Sequence, residues 1–349
     1  RRPRRPRKRK APSHDNFLSK DEMYNETYVA YFVGQGVIRE DEVDAFVAAL
    51  RAPLPGSLRV TPGRSLTPVL VRQLRDGLVA AASSEDPELR PPEPVPWVPN
   101  GLAWRIHASR QRVRRSEGLR PLFEWLKRHE QSGYVTRQEE VSMIPPVVLD
   151  VRPEHKVLDM CAAPGSKTSQ MLEMLHVDNN ASPAGVLIAN DSDPRRACTL
   201  SHQLQRLQCA NVAVTQHPGQ FFPLAVGGDG RVLADGPFDR VLCDVPCSGD
   251  GTIRKHPLMW RDWSPMQSLA LHRLQVQIAE RGLRLLAVGG LLVYSTCAMS
   301  PVEDEAVVAA LLRWGGGALQ LEDVGERLSG LRVRRGMERW RVAVAGGKL

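Results

Sequence analysis

Cys247 and Cys297 each close an apolar run, in "VLCDVPCSGDGT" and "GGLLVYSTC". Thiols at the ends of two strands can form a disulfide, share a metal, fill a core, or divide one reaction between them. The six cysteines (Cys161, Cys198, Cys209, Cys243, Cys247 and Cys297) include no short CxxC pair, which argues against a zinc knuckle or a secreted disulfide framework. Zinc would want four ligands, and no His or further Cys stands at suitable spacing. Reduced thiols are the expectation in the cytosol or nucleus. Buried filler suits Cys198, Cys209 and Cys243, which fall within helices or mid-strand. It suits Cys247 and Cys297 poorly, because both are expected at strand ends facing a pocket. A functional thiol pair is the favoured reading.

"DMCAAPGSK" carries a second kind of chemistry. Gly165 lets backbone approach a ligand, and the helix that follows offers N–H groups to an anion. The stretch lacks GxGxxG, which argues against a nicotinamide-dependent oxidoreductase. Asp191 ends the next strand, where an acidic side chain accepts from ribose hydroxyls. Asp193 reads more simply as a helix cap. An adenosine-containing cofactor is the favoured inference.

These residues need a scaffold, and the pattern from His155 onward supplies one. Strands "HKVLDM", "GVLIAND", "NVAVTQ", "DRVLCDV" and "LLVYST" alternate with helices. Near-continuous apolar strands separated by helices predict a parallel sheet covered on both faces, a doubly wound α/β domain. Its ligands bind beyond the carboxyl ends of the strands. A long helix is expected over 264–288, with Ser264 as N-cap, Pro265 in the first turn and Gly289-Gly290 as the stop. Ser300 to Glu303 reads as a capping box for the next helix.

Residues 26–150 read as a smaller α+β lobe. "REDEVDAFVAALRAPLP" predicts a helix with Val43, Phe46, Val47 and Leu50 on one face, and "GSLRVTP" a short strand. "EDPELRPPEPVPWVP" predicts an extended connector. "GLRPLFEWLKRHEQSG" is a second helix and "TRQEEVSMIPP" a third, ended by its prolines.

The composition, 42% hydrophobic and 25% charged over 349 residues, is that of an ordinary soluble protein with room for two domains. No apolar run is long enough to span a membrane, and no apolar segment follows the basic start as a signal peptide would. The net charge of +8 is concentrated in "RRPRRPRKRK". This block predicts a disordered basic tail over 1–25 that meets a polyanion, through RNA contact or nuclear import. The nucleus is the expected location, with nucleolus and cytoplasm as alternatives. A chain that starts without Met and stops at "GGKL" is expected to be a fragment.

"DMCAAPGSKT", "LCDVPCSGDGT", "YSTC" and "EDEA", in this order, resemble the Sun/Nop family of RNA cytosine-5 methyltransferases. "RQEEVSMIPP" resembles a further family motif. The wording is most similar to that of eukaryotic tRNA-modifying members, and the likeness runs from about residue 40 onward. The resemblance implies a Rossmann-like methyltransferase domain over 151–349, C-terminally truncated, behind an RNA-binding lobe over 26–150. It implies S-adenosyl-L-methionine as cofactor, RNA (tRNA above all) as partner, and neither metal nor membrane. Cytosine C5 is a poor nucleophile, so the family adds a thiolate to C6. Here that cysteine is Cys297, which needs its anion favoured, since a free thiol is only a few per cent ionised at neutral pH. The resemblance gives Asp244 the base and the proton at N3, and gives Cys247 the release of the finished product, with Pro246 and Gly249 shaping its loop. The implied cofactor cradle is Cys161, Ala162, Ala163, Pro164, Gly165, Ser166 and Lys167, with Asp191 and Asp244.

Two departures from the family stand out. "QHPGQ" puts Pro218 where the family carries an adenine-contacting Asp, so weak cofactor binding is expected. The segment forming an antiparallel strand beside strand five is also missing, with "LRVRR" and "WRVAVA" as weak substitutes. A DNA cytosine-5 methyltransferase would use the Pro-Cys thiol as nucleophile, and the Thr-Cys motif speaks against it. The alternative is a catalytically weakened RNA-binding relic of the same family.

Overall fold

The computed structural model describes residues 18–19, 22–77, 90, 92–177, 183–224 and 236–343. Most of the basic tail predicted over 1–25 lies outside them. Two sheets meet along one helix. The first contains β1 (Gly56–Val60), β2 (Glu93–Pro94), β3 (Ala103–Ile106) and β4 (Val135–Arg137), antiparallel in the order β2-β3-β1-β4. The second contains β5 (Lys156–Asp159), β6 (Val186–Asn190), β7 (Val212–Thr215), β8 (Phe238–Asp244) and β9 (Leu286–Ser295). All its pairs are parallel, in the order β7-β6-β5-β8-β9.

The period-two alternation of strand side chains sorts the core into two layers. Val157, Leu187, Ala189 and Leu242 face the helices Ser166–Leu175 and Pro194–Gln205, packing on Met171, Leu172, Leu175, Leu200 and Leu204. Leu158, Val241 and Cys243 face the opposite way, onto Ile278 and Leu285 of the helix Pro265–Leu285. The chain order reverses at β5, so the carboxyl ends of β5 and β8 form the switch point where doubly wound sheets bind ligands.

The helix Glu26–Gln35 went unrecognised in the sequence. Its Tyr28, Tyr31 and Phe32 pack with Val47 and Leu50 of the helix Val43–Arg51 against Trp260 and Trp263. The amino-terminal helices therefore rest on the segment that follows Cys247. The described part of the proline-rich stretch is more than a connector: it supplies β2 and buries Val95, Trp97 and Val98 with Met143.

Several local expectations are corrected. The prolines of "TRQEEVSMIPP" begin a helix rather than end one. The stretch forms part of β4 and a 3₁₀ turn over Glu140–Met143, and Pro145 and Pro146 occupy the first turn of the helix Ile144–Leu149. A missing N–H costs nothing there. The long helix stops at Leu285, and Leu286 is already extended. Gly289 and Gly290 lie inside β9, where the register slips from Phe238↔Leu286 to Arg240↔Leu291. Gly289 has φ +78, so the glycine supplies the bulge rather than a helix stop. Glu303 does not close a capping box: the next helix is Glu305–Gly315 with Asp304 as N-cap, and the Glu303 carboxylate is drawn elsewhere.

Among the described residues β8 is the only strand paired with β9. Neither "LRVRR" nor the described part of "WRVAVA" is a strand. The chain after Gly315 instead runs back over the amino-terminal elements. Arg327 Nη1 donates to the Val148 carbonyl, and Gln35 exchanges two hydrogen bonds with the Arg341 backbone. No helix among the described residues is long and apolar enough to cross a membrane.

Candidate active site

Strand register brings the chemistry together. Asp244 and Ser295 are paired residues at the ends of β8 and β9, and the Ser295 hydroxyl donates to Asp244 Oδ1 at 2.8 Å. Lys167, at the start of the helix after β5, places Nζ 2.7 Å from Asp244 Oδ2. Beyond β8 the chain turns through Pro246, Cys247 and Ser248, and beyond β9 through Thr296 and Cys297. The two turns converge until the sulfurs of Cys247 and Cys297 stand 3.2 Å apart. The Cys297 N–H also donates to Cys247 Sγ.

The pair is electrostatically unequal. Cys297 is held below the ordinary thiol range, chiefly because the Cys247 thiol donates to it, with Lys167 and Lys255 assisting against burial and the Asp244 charge. The Cys247 thiol is pushed up, first by that same hydrogen bond and then by burial. Cys297 is thus the more readily ionised thiol, and the arrangement favours a protonated Cys247 as the donor between them. Cys297 is also the more exposed of the two.

The turns are interlocked. Gly251 N–H donates to the Cys297 carbonyl at 3.0 Å, and a Cβ on Gly251 would lie 2.7 Å from that oxygen, so only glycine fits. Asp250, fully buried, accepts the Met299 N–H through Oδ1, and the Tyr28 hydroxyl donates to its carbonyl. Burial pushes the Asp250 carboxyl up to about 7. Gly249 turns the chain with φ +73.

The loop Cys161–Lys167 lies beside this cluster. Asp191 is buried, accepting the Ala163 N–H and the Asp193 N–H at 3.1 Å each, with Arg196 Nη2 at 3.4 Å. It therefore shapes the loop as well as ending β6. Asp193 caps its helix, as expected, accepting from the N–H groups of Arg195 and Arg196. Ala163 and Pro164 are joined by a cis peptide bond. Gly165 has φ +107, and a Cβ there would meet Leu200 at 2.9 Å, so the close approach that demands glycine is to the neighbouring helix. Ser166 opens the helix Ser166–Leu175. Burial first, and the nearby charges of Asp159, Asp191 and Asp244 after it, push the Cys161 thiol up, which favours its protonated form. Asp159 Oδ1 is buried without a hydrogen-bond partner.

Lys167, Asp244, Cys247 and Cys297 thus form one cluster, with Cys161–Ser166 and Asp191 adjoining it. Pro218 stands at the exit of β7 and precedes a 3₁₀ turn over Gly219–Phe221. Of the cysteines read as filler, Cys243 is buried, Cys209 is half-buried and packed on the core, and Cys198 is exposed, so that reading fails for Cys198. Sequence reasoning missed Ser295, Ser248, Gln275 and Asp250, and misplaced Glu303. An acid inside "SGDGT" and the "EDEA" motif were the available signals.

A family model described as "16S rRNA methyltransferase RsmB/F" matches residues 146–324. The chain is 41% identical over 323 residues to the multisite-specific tRNA:(cytosine-C(5))-methyltransferase of Saccharomyces cerevisiae, covering 91% of this chain and 47% of the yeast protein. It spans about half the length of such relatives. It is 36% identical over 273 residues to the tRNA (cytosine(49)-C(5))-methyltransferase of Pyrococcus abyssi, covering 78% of this chain and 75% of that one. The crystal structure of a methyltransferase homolog from Pyrococcus horikoshii superposes with a TM-score of 0.60 at 26% identity, over 85% of this chain and 83% of that chain. The sheet of β5 to β9 is accordingly the Rossmann-like fold of methyltransferases, and the chain belongs to the RsmB/F family of RNA methyltransferases.

Proposed function

We propose that the chain is an S-adenosyl-L-methionine-dependent RNA cytosine-5 methyltransferase that acts on tRNA through a covalent cysteine adduct. The observation that carries this reading is the pair of cysteines Cys297 and Cys247, their sulfurs 3.2 Å apart beside the Lys167–Asp244 ion pair. The relatives named as tRNA cytosine-5 methyltransferases support it.

The chain's own residues divide the work. Cys297, the more readily ionised of the two thiols, attacks C6 of the cytosine as its thiolate, forming the C–S bond and pushing electron density toward C5 and N3. Asp244, anchored by Lys167 and Ser295, holds the proton at N3 that neutralises this charge. S-adenosyl-L-methionine supplies an electrophilic methyl group to C5. Water takes the C5 proton, the freed electron pair restores the C5–C6 double bond, and the C6–S bond breaks with its electrons going to sulfur. The Cys247 thiol donates a hydrogen bond to the departing thiolate, and the N3 proton returns to Asp244. One thiol makes the bond and the other helps break it.

The residues around the first loop suit that cofactor. The carboxyl groups of Asp159, Asp191 and Asp244 lie near Cys161, with Lys167 paired to Asp244 and Arg196 to Asp191. The carboxylates of Asp191 and Asp244 suit a nucleoside that carries positive charge. Asp159, by contrast, is buried, its carboxyl pushed up to about 7, and supports the loop by accepting from the Thr168 hydroxyl. Cys161 to Lys167 would form its floor, and Asp191 would receive the ribose hydroxyls.

A cleft of about 730 Å³ between the two lobes is lined by Arg137, Arg206, Arg254 and Lys255 among others, with Glu130 and Glu139 paired to three of these cations. An RNA backbone entering it would compete with those carboxylates for the basic side chains. Residues 26–150 would then serve as the RNA-binding lobe. The basic tail would add sequence-independent affinity and direct the protein to the nucleus. Deleting Arg1 to Lys10 should flatten the slope of log affinity against log salt, whereas an unchanged slope leaves import as its role.

The decisive experiment is methyl transfer from labelled S-adenosyl-L-methionine to tRNA. 5-Methylcytosine should form with the parent chain and be absent with Cys297→Ala, while calorimetry shows the cofactor still bound. Full transfer by Cys297→Ala overturns the mechanism. Absence of both transfer and cofactor binding in the parent chain favours an RNA-binding relic, the reading suggested by Pro218.

A further inference from the structure

Cys247 sits in an irregular turn, yet its sulfur must hold station within hydrogen-bond reach of Cys297. Two fully buried side chains from other elements grip the residues on either side of it. Gln275, in the middle of the helix Pro265–Leu285, donates Nε2–H to the Pro246 carbonyl at 3.0 Å. Glu303 accepts the Ser248 N–H at 2.8 Å through Oε1 and the Ser248 hydroxyl at 2.5 Å through Oε2. The two clamps are joined, because Gln275 Nε2 also donates to Glu303 Oε1 at 2.9 Å. The Glu303 carbonyl is fixed in turn by the Tyr294 hydroxyl.

A buried carboxylate is costly to hold in place, and no cation is paired with Glu303 among the described ion pairs. Its three hydrogen bonds all come from the Cys247 turn or from the residue gripping that turn. A capping role does not account for it, since the helix beginning at Glu305 has Asp304 as its N-cap. The Glu303 charge also helps keep the Cys247 thiol protonated, the form that donates to Cys297.

We propose that Glu303, acting through Ser248 and together with Gln275, is a positioning residue that holds the Cys247 thiol against Cys297 for the release step. It touches neither substrate nor reacting sulfur. This inference rests on the proposed mechanism, in which Cys247 promotes breakage of the C6–S bond. Loss of the clamp weakens the support that Cys247 gives the Cys297 anion but slows expulsion of Cys297 more than it slows addition and methylation, so the covalent protein–RNA complex persists.

The experiment compares the parent chain, Cys247→Ala, Glu303→Ala, Glu303→Gln and Ser248→Ala, each incubated with tRNA and S-adenosyl-L-methionine and resolved on a denaturing gel. Cys247→Ala is the control: it should accumulate a covalent complex, and a control without one overturns the mechanism and this inference together. Given a trapping control, Glu303→Ala should show a severalfold rise in complex over the parent, abolished by adding Cys297→Ala. Glu303→Gln keeps an acceptor for the Ser248 N–H and should trap less than Glu303→Ala. Cofactor affinity by calorimetry should be unchanged in both, which a general loss of structure would not allow. Complex at the parent level in Glu303→Ala, beside a trapping control and with cofactor affinity intact, overturns the assignment. Should Glu303→Ala fail to fold, Ser248→Ala decides: it removes one of the clamp's hydrogen bonds from a half-buried position and should raise the complex, and a parent-like level there overturns the assignment equally.

Discussion

Arg59 Nη2 lies 2.9 Å from Glu173 Oε2, and each side chain is only 4% exposed. Arg59 belongs to β1 of the antiparallel sheet and Glu173 to the helix Ser166–Leu175 of the methyltransferase sheet, so this ion pair bolts the two lobes together. Thr136 of β4 donates to the second Glu173 oxygen at 3.2 Å, and Gln138 donates to Gln170 one turn earlier. The lobes also touch through backbone: a Cβ on Gly133 would lie 2.1 Å from the Arg206 carbonyl.

Removing one partner leaves the other charge buried and unmatched, which costs about 3–5 kcal/mol, whereas replacing both with apolar residues costs far less. Glu173→Ala should therefore lower the denaturant midpoint sharply, and Arg59→Met/Glu173→Leu should recover most of it. A single substitution that leaves the midpoint unmoved would show that the junction does not depend on the pair.

The inequality of the two thiols gives a pH signature. The Cys247 hydrogen bond is the largest cause of the lowered Cys297 value, with Lys167 and Lys255 adding to it. Alkylation of Cys297 by iodoacetamide should rise with pH through a midpoint below that of an ordinary thiol. Removing the donor with Cys247→Ala withdraws support from the thiolate, so the midpoint should move to higher pH. Lys167→Met should move it the same way by a smaller amount. Peptide mapping at a series of pH values checks this, and a midpoint that falls in Cys247→Ala contradicts the assignment of thiolate and thiol.

Pro218 offers no side-chain acceptor at the exit of β7, where the resemblance expects a carboxylate. A lost hydrogen bond is worth ~0.5–1.5 kcal/mol. Pro218→Asp should tighten S-adenosyl-L-methionine severalfold by calorimetry. The new residue would precede the 3₁₀ turn Gly219–Phe221, a position that tolerates Asp. An unchanged dissociation constant would mean that adenine is not read from this position.

The elements of the parallel sheet were legible because each strand is a short apolar run bounded by turn residues and each covering helix is periodic. Asp193 and Ser264 announced their helices by cap chemistry that is local to a few residues. Boundaries failed where local signals were ambiguous. Gly289-Gly290 can end a helix or bulge a strand, and only pairing with β8 selects the bulge. The paired prolines at Pro145 and Pro146 stop a helix as readily as they start one. The helix Glu26–Gln35 escaped notice because its burial depends on Trp260 and Trp263, more than 200 residues away.

The sequence by itself determined the class of sheet, the strand-end positions of Asp191, Asp244, Cys247 and Cys297, and the glycine-bearing loop before Lys167, because strand period, turn chemistry and helix caps act over a few neighbouring residues. Tertiary structure decided how the two sulfurs are coupled and what favours the Cys297 anion, since that follows from a 3.2 Å approach between turns fifty residues apart in sequence and from the cations Lys167 and Lys255 nearby. It also decided that Glu303 grips the Cys247 turn instead of capping its own helix. A buried carboxylate takes the hydrogen-bond donors that the packed fold delivers to it, and Ser248 and Gln275 reach Glu303 only once β8, β9 and the helix between them have come together.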